Sequence, residues 1–183
     1  MARDYQYEVM DEIKRRYSTR IFSTETVTKE ELIPVFEAAR YAPSAYNEQP
    51  WRFIVGYAGD ENHRKIADAL VEGNAWAKKA PVLILALCTK NFKLNNEPNA
   101  HSRYDTGAAA AFLQMEAARR GLVTHCMSGF LAEKAGKAFG IPDGLDIVVT
   151  IALGKAGKPE LTENEKPGER SPLESLFLFE KNP

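Results

Sequence analysis

Apolar positions along this chain change their period several times, and each change marks an element. Met10, Ile13 and Tyr17 recur at helical spacing, predicting a short first helix over 7–17. That helix delivers Lys14, Arg15, Arg16, Tyr17, Ser18, Thr19 and Arg20 to its C-terminal end, where cations suit the helix dipole. Thr28 and Glu31 have the spacing of a capping box, and Leu32, Val35, Phe36 and Ala39 follow on one face, so a second helix is expected to run to about Tyr41. Residues 51–57 read as a strand. Asp60 is placed to cap a third helix through Ile66, Ala67 and Leu70, with Gly73 and Asn74 as its break. Residues 82–88 are continuously apolar, the pattern of a central strand covered on both faces.

Beyond a polar loop over 89–102, the segment 107–118 is apolar nearly all the way round. Its alanines let another helix backbone approach closely, and a helix buried on every side in so small a domain suggests a subunit interface; the other reading is the central core helix of a monomer. Gly121 ends it. Residues 122–127 read as a short strand, Ser128 and Gly129 as a turn, and Leu131, Ala135 and Phe139 as a helix that Gly140 ends. A further apolar strand is expected over 147–153, and a short apolar helix over 172–179 closes the chain. Helices covering a sheet, in this order, make an α+β or mixed α/β layer arrangement.

Composition narrows the function classes. At 183 residues the chain is expected to form one domain, with 155–183 an extended arm rich in Lys, Glu, Pro and Gly. A net charge of −1 supplies no basic field for nucleic acid or an anionic membrane. The N-terminal residues lack the apolar segment of a signal peptide, and 82–88 is too short to span a bilayer, so a soluble cytoplasmic protein is expected. Cys88 and Cys126 carry no motif and suit free thiols better than a disulfide or a zinc site.

Chemistry-bearing residues gather in two places. Within 42–53, Pro43 ends a helix, Pro50 pushes Gln49 out of the helical region, and Ser44, Asn47 and Gln49 between them can bond backbone or ligand. Arg16 and Arg20 could fork onto phosphate oxygens with the Ser18 hydroxyl between them, which suits one phosphate monoester; a solvated basic turn is the alternative. His63, His101 and His125 are scattered, and no nucleophile elbow, Walker loop, dinucleotide fingerprint or zinc motif is present. Any hard chemistry must therefore come from a cofactor.

Three blocks carry a resemblance: Arg16-Tyr-Ser-Thr-Arg-Ile-Phe22, then Ala39-Arg-Tyr-Ala-Pro-Ser-Ala-Tyr-Asn-Glu-Gln-Pro-Trp-Arg-Phe-Ile-Val55, then the arm with Arg170-Ser-Pro-Leu. Over essentially the whole chain this order is similar to the FMN-dependent nitroreductase family. The resemblance implies an α+β fold with a mixed, mostly antiparallel sheet flanked by helices, built as an intertwined homodimer with FMN in clefts at the interface. It implies that Arg16, Ser18 and Arg20 surround the FMN phosphate and ribityl chain, with Tyr17 contributing backbone. Arg170 becomes a second phosphate-binding cation, and Lys166 its companion. Pro43, Ser44, Ala45 and Asn47, with Gln49 nearby, become the other subunit's loop along the flavin. Asn74 falls near the pyrimidine edge, with Lys78 out of secure register, and Met127, Ser128 and Gly129 form the turn at flavin N5 and O4, close to His125. No side chain is expected to be catalytic and no metal is expected.

By the same resemblance, NADPH or NADH would give a hydride to FMN and leave, and a small-molecule acceptor such as a nitroaromatic or quinone would take its place, a ping-pong scheme. Reductive dehalogenation on the same fold, or flavin binding without turnover, are the alternatives. The chain is short for the family, which leaves the cleft open, with 90–102 as its expected cover.

Overall fold

The apolar runs become four strands of one sheet in the computed structural model, which describes residues 5–158, 165 and 168–178. They are β1 (Trp51–Tyr57), β2 (Val82–Thr89), β3 (Leu122–Met127) and β4 (Leu145–Lys155), in spatial order β1-β2-β4-β3. Tyr57 at the end of β1 lies opposite Val82 at the start of β2, so the intervening chain leaves and re-enters at one end of the sheet. Every pairing among these strands is antiparallel, and the α+β architecture is borne out with no parallel pair in the described sheet.

Strand β2 is central because its side chains are apolar on both faces. Val82 and Ile84 pack into one cluster with Leu32, Val35, Leu113 and Ile151, while Leu83, Leu85 and Leu87 pack into the other with Ile66, Leu70, Met127 and Ala135. The first cluster lies under helices α2 (Lys29–Arg40) and α4 (Ser102–Arg119), the second under α3 (Glu61–Ala69) and α5 (Ala132–Phe139). The predicted caps are formed: Glu31 N donates to Thr28 Oγ1 at 3.2 Å, Thr28 N to Glu31 Oε2 at 2.8 Å, and His63 N to Asp60 Oδ1 at 2.7 Å. Gly140 adopts the left-handed conformation (φ 61°) after α5.

Tertiary pairing moves some boundaries. Helix α1 spans only Asp11–Arg15, because Arg16 is already extended (φ −69°, ψ 121°) and the chain runs on as a connector. Gly73 and Asn74 do not break α3. It stops at Ala69, where Leu70 becomes extended and bridges to Phe130, and the two residues lie inside a 3-10 helix, Glu72–Lys79. Helix α4 begins at Ser102, ahead of its apolar stretch. Its 172–179 counterpart in the arm is a single 3-10 turn, Leu173–Leu176; Phe179 and Lys166 lie outside the described residues.

Helix α4 divides the two readings made of it. Ala109, Ala110, Leu113, Ala117 and Ala118 are buried in this chain's own core, whereas Tyr104, Ala111 and Phe112 are exposed on the opposite side. No helix among the described residues is long and apolar enough to cross a membrane.

Candidate functional site

The connector from α1 to α2 is extended, so its side chains alternate. Ser18 and Arg20 are exposed and Thr19 between them is 0% exposed. Arg16 Nη1 donates to Ser18 Oγ at 3.4 Å, keeping a guanidinium and a hydroxyl side by side. The connector is tied to the end of β4 by Ser23 N donating to Lys155 O at 3.0 Å, by a Phe22–Ala156 bridge, and by Gly157 N donating to Ile21 O at 3.1 Å.

Strand β3 brings His125 against this connector, with Nδ1 2.9 Å from the Thr19 carbonyl oxygen. A carbonyl only accepts, so Nδ1 carries the proton and Nε2 keeps a lone pair. Burial holds the His125 pKa below its ordinary value; the Thr19 bond opposes this, and the Arg20 and Arg16 charges add to the lowering. Beside it, the Trp76 ring lies 4.6 Å from the imidazole centroid and stacks near-parallel with Phe22 at 6.3 Å. The Arg20 guanidinium carbon sits 5.9 Å from the Trp76 ring centroid. Trp76 Nε1 is buried and has no hydrogen-bond partner among the described residues. Two cations and a hydroxyl thus face outward beside an aromatic wall, a donor set suited to a phosphate ester carrying a flat ring.

Neither Trp76 nor Thr19 was singled out for this place by sequence reasoning. Trp76 is the one large apolar side chain over 72–79, which signals that it must bury somewhere but not against what. Next to it, the turn after β3 is pinned: Asn74 Nδ2 donates to the Gly129 carbonyl at 2.9 Å and Val71 N to the same oxygen at 3.2 Å. A Cβ on Gly129 would lie 2.6 Å from Asn74 Nδ2 and 2.9 Å from Val71 Cγ2, so a larger residue would have to push aside the side chain that pins the turn. Asn74, Met127, Ser128 and Gly129 are therefore brought together, with Met127 buried and Ser128 exposed.

The 43–50 loop forms a second, separate cluster. Tyr46, Asn47 and Gln49 have φ of 52°, 56° and 49°, the left-handed region that non-glycine residues seldom adopt. Such strain persists only where surroundings over-determine it. Here Gln49 N donates to Ser44 Oγ at 3.0 Å, Gln49 Nε2 to the Asn47 carbonyl at 3.0 Å, and Ala45 N to Oδ2 of the buried Asp105 at 3.1 Å. The buried Glu48 accepts from Lys93 N at 2.9 Å, while Lys93 Nζ donates to the Glu48 carbonyl at 2.6 Å. Ser44 accordingly spends an acceptor on its own loop. Tyr46 is 92% exposed at the tip, with Phe92 edge-on at 5.9 Å.

One chain does not bring the two clusters together. His125, Ala152, Leu83 and Gly56 lie in one row across the sheet, which separates the β3 and β1 edges by roughly 14 Å at the usual strand spacing. Trp51, where the loop enters β1, is five residues from Gly56, about 17 Å further along. Arg170 also stands apart, its Nη1 donating to the carbonyls of Gly168 at 2.9 Å and Glu169 at 3.2 Å within its own arm.

Comparison with known proteins agrees in sequence and in shape. An uncharacterised 15.4 kDa protein in the ask 5′ region of Mycolicibacterium smegmatis is 39% identical over 140 residues, covering 69% of this chain and 90% of that protein. A protein of Archaeoglobus fulgidus, provisionally named NADH dehydrogenase/NAD(P)H nitroreductase, is 27% identical over 151 residues, covering 80% of this chain and 84% of that protein. A solved structure described as the oxidoreductase containing FMN superposes with a TM-score of 0.89 at 32% identity, covering 97% of this chain and 94% of the other. The model of the nitroreductase family matches residues 13–75 and 70–155, nearly all of the sheet and helices just described, and the chain belongs to the nitroreductase family.

Proposed function

We propose that the protein is an FMN-dependent oxidoreductase that takes reducing equivalents from NADPH or NADH and passes them to small conjugated acceptors such as nitroaromatics and quinones, working as a homodimer. The observation that carries this reading is the outward face of the connector, where Arg16, Ser18 and Arg20 stand beside Trp76 and His125. That donor set fits FMN, whose phosphate matches the guanidiniums and whose ring matches an aromatic wall. The FMN-containing solved structure and the Archaeoglobus relative support the cofactor and the reductant respectively.

FMN, when bound, supplies two-electron hydride chemistry. The chain's own residues hold and orient it. Arg16 and Arg20 would hold the phosphate with Ser18, and Tyr17 would lend backbone; Arg170, bonded within its own arm here, would be a second phosphate-binding cation. Asn74 fixes the Gly129 carbonyl, and the Met127, Ser128 and Gly129 turn held in this way would offer its backbone N–H groups to the ring. His125 is held neutral by burial, so it adds an acceptor at Nε2 and no further positive charge. Pro43, Ser44, Ala45, Asn47 and Gln49 complete the site from the second subunit. The wide separation of the two clusters within one chain supports that arrangement, since a flavin ring is far shorter than the gap.

An absorption spectrum of the purified protein, recorded before and after NADPH or NADH is added without oxygen, tests the reading. A flavin band that bleaches, and returns when a quinone or nitro compound is added, is expected. A colourless protein that takes up no added FMN would overturn it.

A further inference from the structure

We infer that Glu165, in the C-terminal arm, is a positioning residue for the phosphate-binding connector, an inference that rests on the FMN reading above. Its carboxylate reaches back across the sequence to accept from the Thr19 hydroxyl and from Arg20 N at 2.5 Å. Thr19 Oγ1 in turn accepts from Ile21 N at 3.0 Å, and the Thr19 carbonyl accepts from His125 Nδ1–H at 2.9 Å. Thr19 is 0% exposed, so Glu165, His125 and the Ile21 amide grip the connector from its inner side.

The alternation of an extended segment then decides what that grip does. With Thr19 fixed inward, Ser18 and Arg20 on either side must project outward, where both are exposed. Among the described residues, the Glu165 carboxylate bonds to the Thr19 hydroxyl and to the Arg20 backbone amide, not to the Ser18 hydroxyl or the Arg20 guanidinium. It acts through the backbone: an N–H and a hydroxyl bonded to one carboxylate hold the spacing of Arg16, Ser18 and Arg20.

A riboflavin-to-FMN comparison tests this, because the two ligands differ only in the phosphate that the connector would hold. Flavin fluorescence quenching gives the Kd of each for wild type, Glu165→Ala, Glu165→Gln and Thr19→Val. Glu165→Ala is expected to raise the Kd for FMN about tenfold and to leave that for riboflavin within about twofold, the loss of roughly one charge-assisted contact. Glu165→Gln, which keeps an acceptor for Arg20 N, is expected to restore FMN binding to within about threefold of wild type. Thr19→Val should show the same selective loss and carries the test if the alanine variant does not fold. Equal loss of both ligands makes Glu165 merely structural and overturns the inference, as does unchanged FMN binding. Tighter FMN binding by Glu165→Ala would make the carboxylate a competitor and also overturn it. A wild-type chain that binds no FMN overturns the proposed function together with this inference, whereas wild-type binding without selective loss overturns this inference alone.

Discussion

His125 joins three residues that no sequence window contains together: Thr19 through its ring nitrogen, Trp76 through ring contact, and Arg20 through charge. Its folded pKa lies below the ordinary 6.5, so between those two values the unfolded chain binds more protons than the folded one. The stability this group contributes is complete above about pH 6.5 and is lost as pH falls through its folded pKa. Thermal melts of wild type and His125→Gln between pH 7.5 and pH 5 should show a steeper loss for wild type; equal slopes would mean that the imidazole titrates alike in both states. Arg16 and Arg170 separate more sharply than their shared predicted role suggests. Arg16 sits in the connector cluster, whereas Arg170 bonds to its own arm. Arg16→Ala should weaken FMN binding by about 1.5–3 kcal/mol in a fluorescence titration, the worth of one hydrogen bond to a charged group. Arg170→Ala should cost less, and the reverse order would place the phosphate nearer the arm.

At the scale of elements, the 43–50 loop is held in a strained shape by partners from other parts of the chain. Its prolines are visible in sequence, but Asp105 and Lys93, which hold Ala45 and Glu48, are remote from it. Removing the Asp105 carboxylate leaves the Ala45 amide without its acceptor, a loss of about 1–3 kcal/mol. Asp105→Ala should lower urea-unfolding stability by that amount, and Asp105→Asn, which keeps an acceptor oxygen, by less. No change in either would show that the strained conformation is held without Asp105. The strand β2 and the caps of α2 and α3 were legible because their signals are local: an unbroken apolar run, or a side chain three residues from the amide it caps. The end of α3 was not, because Leu70 leaves the helix to bridge Phe130, and that pairing outweighs the helix-breaking preference of Gly73.

The whole molecule turns on helix α4. One side fills the core and the other exposes Tyr104, Ala111 and Phe112. If the protein is a homodimer through this side, Ala111→Arg should raise the dimer dissociation constant by about a hundredfold or more in sedimentation experiments, since it would bury an unpaired charge. Circular dichroism should be unchanged, because Ala111 is outside the core. Ala110 cannot report on the interface in this way: it is 4% exposed, and enlarging it would disrupt the monomer's own packing. A dimer of undiminished strength would move the contact to another surface.

What the chain determines by itself follows from short-range physics. Period, caps and apolar runs specify which segments are strands and helices, and the resemblance of three blocks points to a family that the family model then matches. What only the tertiary structure decides is which polar groups meet. Thr19 finds Glu165 across 146 positions and His125 across 106, while Ala45 finds Asp105 across 60. Such pairings depend on how the elements dock against the sheet, and no local propensity encodes them. The same docking keeps the connector and the 43–50 loop on opposite edges of one sheet, so sequence could nominate both as parts of a site while only the strand order shows that one chain holds them apart.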